Sequence, residues 1–171
     1  ERRFLDTNGV RVVVDAKVVD KDVKLPEERQ TSAETLEADT LEVLADLNHA
    51  SQKGLQTIFD SSVGRSTVNH TLGGRYQITP TEASIQKLPV QHGVTATASV
   101  MAQGFNPYVA EWSPYHGAAY AVIEATARLV AAGANWCKAR FSYQEYFERM
   151  DKQAERFGQP VAALLGSIES Q

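Results

Sequence analysis

The sequence predicts a mixed domain of the α+β or α/β class. Three observations carry this. A turn-centred hairpin pattern opens the chain, helical spacing follows a charged stretch, and short strand-like runs then precede a long helix rich in Ala and Val. The length of 171 residues fits one domain of ordinary size, or one domain plus an arm. A chain this long is expected to bury roughly 70% of its unfolded surface without disulfide or metal staples.

RFLDT and VRVVVDAKVV flank Asn8-Gly9, a pair suited to a two-residue hairpin turn, so residues 1–19 are expected to form a hairpin. The charged, turn-rich residues 20–40 read as a linker. A helix is expected from near Thr40, with Leu41, Leu44 and Leu47 at helical spacing. A second short helix over 51–59 follows the Asn48-His49 break. From Val63, Gly pairs, Thr, Val and two prolines indicate short strands with loops. ATASVMAQG, residues 96–104, alternates like a strand buried on one face, and Gly104-Phe105-Asn106-Pro107 ends it. The long helix runs over 114–132, with Ser113 as N-cap, Pro114 in the first turn and Gly133 as C-cap. Residues 141–158 mix aromatics with charges and read as a strand leading into an amphipathic helix; PVAALLGSIESQ forms the last helix. No internal repeat or low-complexity segment is visible.

The charge balance, 17 basic against 21 acidic residues for a net −4, gives no electrostatic basis for nucleic acid or anionic membrane as a partner. The sequence has no run of about 18 apolar residues and no signal-peptide core, which points to the cytoplasm. It opens on Glu, so a cut or boundary within a longer protein is expected there. Cys137 is the single cysteine and is expected to be an inert, partly buried residue. His49, His70, His92 and His116 show no zinc-ligand spacing, and none is assigned a catalytic role. Gly73-Gly74 is a turn signal, and no phosphate-loop motif is present. Trp112, Tyr115, Tyr120, Trp136, Tyr143, Tyr146 and Phe147 have no basic stripe beside them, so they read as core and interface.

The long helix is Ala, Val, Ile and Gly on most sides and is expected to be buried on most faces, flat against a sheet. Glu124 and Arg128 stand four residues apart and can pair across one turn. Two readings follow. Either these residues mark the solvated stripe, or Glu124 faces a cleft and helps hold a metal or nucleotide, the kind of partner a buried carboxylate needs.

QTIFDSSVGRSTV (56–68), GGRYQITPTEASIQKLPV (73–90), MAQGFNPYVAEWSPYHGAAYAVIEATARLVAAGA (101–134) and KARFSYQEYFERMDKQAERFGQPVAALLGSIESQ (138–171) resemble the phosphoribosylformylglycinamidine synthase family, in its large single-chain form. The runs cover most of 41–171, and QEYFERM and NPY are specific text. The resemblance implies an α+β fold like the N-terminal domain of aminoimidazole ribonucleotide synthase: a mixed sheet packed on helices, pairing into a barrel in a dimer or pseudo-dimer. Residues 1–40 are similar to the hairpin and linker ending the preceding subdomain, and 41–171 to the second N-terminal-like copy.

The parent activity so implied is ATP-dependent carbon–nitrogen ligation in purine biosynthesis. Formylglycinamide ribonucleotide becomes the amidine, with magnesium, ATP and glutamine as amide donor. Cys137, in GANWCKAR, does not match the nucleophile of the family's glutaminase domain. Glu124 aligns with an acid that holds magnesium at an auxiliary nucleotide, and Arg128 stands where the family often has Asn. Gln56 replaces a frequent Lys, and no acid lies between Gln91 and Ser99. The implied site is therefore Glu124 and Arg128 for nucleotide or phosphate and Glu124 for metal, in degraded form. No catalytic residue is assigned, and no cofactor is expected on this piece. The implied partners are the remaining subdomains of the parent chain, or a second copy in a homodimer. The alternative is a stand-alone module binding a nucleotide or protein.

Overall fold

In the computed structural model, the described residues are 13–19, 30–58, 66–150 and 153–171. They form a small mixed α+β fold with two small antiparallel sheets and no closed barrel among them. The chain divides into two compact units: the described parts of Glu1–Val23, Gly104–Glu124 and Arg140–Gln171, and those of Lys24–Gln103 and Ala125–Ala139.

The second of these units opens with α1, Leu36–Ala45. Its start lies before the expected Thr40. The Thr35 N–H donates to Ser32 Oγ at 3.3 Å and the Ser32 N–H to Thr35 Oγ1 at 3.2 Å. This reciprocal pair starts the chain turning early, as a capping box does. Glu37 and Asp39 in the first turn suit the positive end of the helix. Asp46 ends it by accepting the Asn48 N–H at 2.8 Å, and that bond chiefly holds the Asp46 carboxyl below its ordinary range. Leu47 therefore falls past the helix. The short α2, Lys53–Ile58, lies within the expected range.

β1 (Leu72–Gly73) and β2 (Thr79–Pro80) pair around a turn in which Gly74 and Gln77 take positive φ. β3 (Ala83–Lys87) pairs with β4 (Ala98–Ala102) in a register that sets Ala83 opposite Ala102 and Ile85 opposite Val100. Residues 66–68 extend this pair on the β3 side: the Val68 N–H donates to the Ile85 carbonyl at 2.9 Å, and the Lys87 N–H to that of Ser66 at 2.7 Å. β4 has the expected position, but Val100 and Ala102 are only half-buried on its inner face.

In the other unit, α3 (Pro107–Trp112) begins at the last residue of the expected strand end, 104–107, and covers 108–112, where no element was expected. The Asn106 side chain accepts the Tyr108 and Val109 N–H groups at 3.1 and 3.2 Å, and Pro107 fills the first position. α4, Pro114–Ala131, follows directly; its residues up to Glu124 belong to this unit and those from Ala125 onward to the one described above. Ser113 caps it as expected, its hydroxyl accepting the His116 N–H at 3.4 Å. Gly133, φ +86°, closes its far end as expected.

Two expectations fail in this part of the chain. Residues 141–150 carry no strand. The last helix, α5, begins at Ala154 and runs to Glu169 with Pro160 inside it; Ala154, Glu155 and Arg156 are good helix formers and carry the helix back past the proline. The expected hairpin falls largely outside the described residues, and 13–19 take no strand assignment.

α5 supplies the tightest packing. Gly158, Ala162, Ala163, Gly166 and Ser167 are its buried residues, one face of small side chains. A Cβ on Gly158 would collide with the Lys17 carbonyl, and one on Gly166 with that of Tyr115. Lys17 is further held by its N–H to the Ala154 carbonyl at 2.8 Å. On α4, a Cβ on Gly117 would stand 2.5 Å from the Ala110 Cα. The Tyr115 hydroxyl donates to the Glu169 carboxylate, which raises the phenol above its ordinary pKa.

α4 is not buried on most faces. Its buried residues are Gly117 and Val122, while Tyr120, Ile123 and Val130 are at least half exposed. Two-stranded sheets are too narrow to cover a helix. Buried apolar side chains among the described residues are Val122, Ala162 and Ala163, a thinner core than the length leads one to expect. No helix among the described residues is long and apolar enough to cross a membrane.

Substituting Gly166 or Gly158 by Ala is expected to destabilise the fold by about 1–3 kcal/mol in urea unfolding, because overpacking outweighs the helix-propensity gain of about 1 kcal/mol. Gly54→Ala in α2, where a Cβ meets nothing within 4 Å, is expected to stabilise by about 0.5–1 kcal/mol. Tyr115→Phe separates the contribution of the Glu169 contact. A raised tyrosine pKa stabilises below the unfolded value, about 10, and the effect is lost as pH rises through the folded value. The stability gap between wild type and variant should therefore hold at neutral pH and close in strong alkali, as followed by denaturation at stepped pH.

Candidate functional site

Glu124 and Arg128 are both half-buried on α4. Within its unit, Glu124 accepts the Phe105 N–H on Oε2 at 2.9 Å. Phe105 lies in the segment that leaves β4 and enters α3. A carboxylate accepting a main-chain N–H makes a charge-assisted bond, so this acid holds the backbone at a strand-to-helix turn.

Arg128 belongs to the other unit, where its partners include Glu82 and Gln103. Nε donates to Glu82 Oε2 at 3.0 Å and Nη1 to the Gln103 carbonyl at 2.7 Å. Glu82 immediately precedes β3 and Gln103 immediately follows β4, beside the paired residues Ala83 and Ala102. The guanidinium thus fastens α4 to the end of this strand pair, using the planar spread of its donors. Its side chain is 24% exposed and that of Glu82 60% exposed, so the ionic part contributes modestly and the carbonyl bond adds to it. Glu82 is a residue the sequence reading did not single out. The signal available was its place directly before a strand, in TPTEAS; its pairing with Arg128 is long-range and leaves no periodic trace.

Comparison with described protein families, with curated proteins and with solved structures finds no match to this chain. The geometry alone therefore bears on what these residues do. Magnesium takes six ligands, usually one or two carboxylates with phosphate oxygens and water. One Glu124 oxygen carries the Phe105 N–H, and Glu82 is engaged by Arg128. Among the described residues no group of three or more His, Cys, Asp or Glu side chains could hold a metal ion. The residues present are a thin donor set for a magnesium nucleotide.

Ser113 and His116 approach as a nucleophile and base would, Oγ to Nδ1 at 2.9 Å. Ser113 is buried, however, and its hydroxyl caps α4. Trp112 and Tyr115 lie against the imidazole with ring centroids 5.2 and 5.1 Å away. This cluster locks the α3–α4 corner. His49 Nδ1 sits 3.3 Å from Asp46 at the end of α1, while His70 and His92 are exposed. Cys137, expected to be partly buried, is exposed, because the short 3₁₀ turn Trp136–Lys138 carries it at the surface. The aromatic set is likewise more exposed than a core set: Trp136 and Tyr143 are open and Tyr146 is 97% exposed.

Arg128→Ala is expected to lower stability by about 1–2 kcal/mol, since it removes the partner of the Gln103 carbonyl as well as an ion pair. Glu82→Gln should change stability by less than about 1 kcal/mol, and a double-mutant cycle between the two positions should give a coupling of about 0.2–1 kcal/mol. Chemical denaturation of the four proteins measures both.

Proposed function

We propose that this chain is a structural subdomain of a phosphoribosylformylglycinamidine synthase, a cytoplasmic ATP-dependent carbon–nitrogen ligase of purine biosynthesis, and that it performs no catalysis alone. The sequence resemblance suggests the parent, and the unfilled apolar surface supports a scaffold role. Leu41, Leu44, Leu55, Ile58 and Met101 are all exposed large apolar residues, and among the described residues β3 and β4 form a narrow sheet with β4 at its edge. Free-standing proteins keep contiguous apolar surface small and protect strand edges. Surfaces of this kind suit a part that is completed by neighbouring subdomains, sheet against sheet in a closed barrel.

In this reading Glu124 and Arg128 work as backbone fasteners, and the auxiliary nucleotide site that the resemblance attaches to them is degraded. The isolated chain replaces its missing neighbours with a second copy, most simply in a symmetric dimer.

Light scattering at increasing concentration is expected to give the dimer mass, and calorimetric titration with ADP and magnesium to give no heat of binding. A clean monomer at high concentration would count against the scaffold reading. Saturable ADP binding would favour the alternative of a nucleotide-binding module.

A further inference from the structure

We infer that the cleft where β4 meets the end of α4 binds a small amphiphilic monocarboxylate. The cleft has a volume of about 370 Å3, near the lower end of small-molecule pockets, roughly 300–1,000 Å3. Its whole wall comes from one compact unit. Ala98 and Val100 of β4 and Leu129 of α4 are among its apolar lining residues, and Asn135 and Lys138 are the lining residues with polar side chains.

One feature lowers the repulsion of an anion, and two favour its binding. The end of a helix ordinarily repels negative charge through its bare carbonyls. Here the Gly133 N–H donates to the Val130 carbonyl and the Ala134 N–H to that of Leu129, both at 2.9 Å, so the reversal at Gly133 covers two of them. The Asn135 side-chain oxygen already accepts the Cys137 N–H at 3.0 Å, which leaves its amide NH2 as the group to present. The Lys138 ammonium forms no ion pair or hydrogen bond among the described residues. Both polar groups are thus donors, and one is cationic. A single cation beside an apolar lining matches one negative charge on a short aliphatic or single-ring body, and it matches a multiply charged phosphate ester poorly. This site is separate from the Glu82–Arg128 pair and does not depend on the scaffold reading.

Benzoate and its uncharged analogue benzamide, titrated into the full chain and followed by amide chemical shifts, test the inference. Benzoate is expected to saturate, with shifts confined to 98–100 and 129–139. Benzamide is expected to bind about fivefold more weakly, the upper range for an exposed ion pair. Lys138→Gln lies on an exposed residue and should weaken benzoate about fivefold while leaving benzamide unchanged. Ala98→Leu, also at an exposed position, should narrow the cleft and weaken both. Equal affinity for the two compounds, indifference to Lys138→Gln, shifts outside the named segments or the absence of saturation would each overturn the proposal.

Discussion

Close backbone approach along α5 is the constraint on which its unit depends. Helices ordinarily hold neighbours 8–10 Å away through their side chains. At Gly158 and Gly166 there is no side chain, so the chain around Lys17 and the carbonyl of Tyr115 come directly onto the helix. Ala162, Ala163 and Ser167 complete the same face. Such a seam gains more from many small dispersion contacts than from buried area, and it is intolerant of added volume. This explains how a unit with few buried large side chains still fixes three stretches of chain that are remote in sequence.

α4 shows a second way of fixing geometry. Its two interior charges are each used on backbone, Glu124 on the Phe105 N–H and Arg128 on the Gln103 carbonyl. An acid and a base in a small-residue helix invite a catalytic or cofactor reading, because a buried charge demands a partner. Main-chain groups meet that demand as well as ligands do. Here they also fix where β4 ends and α3 begins.

Local chemistry made much of the fold legible. Ser113-Pro114 and Gly133 marked the long helix almost to the residue, and Asn48-His49 separated α1 from α2. The Asn106-Pro107 start of α3 carried the same kind of signal, Asn as a cap and Pro at the first helical position, but it was read only as the end of a strand. Other features depended on distance in the chain. The apolar composition of α4 indicated burial on most faces, but burial needs a covering surface, and the strands among the described residues are too short to provide one. Phe105 lies 19 residues from Glu124, and Gln103 and Glu82 lie 25 and 46 residues from Arg128, so helical spacing pointed Glu124 and Arg128 to each other first. The packing role of Gly158 and Gly166 was hidden because glycine in a helix reads as a weak point until a neighbour is seen against it.

The corner at Ser113 has a mechanical consequence. Its N–H closes α3 on the Val109 carbonyl at 2.9 Å, and its hydroxyl opens α4. One residue therefore sets the roll of both helices about their axes. With Gly117 seated on Ala110, the two helices are joined at this corner both through Ser113 and through a close backbone contact. Exchange of segments between related chains would have to respect that elbow as an indivisible piece, and could cut more freely in the irregular stretch that follows Arg140.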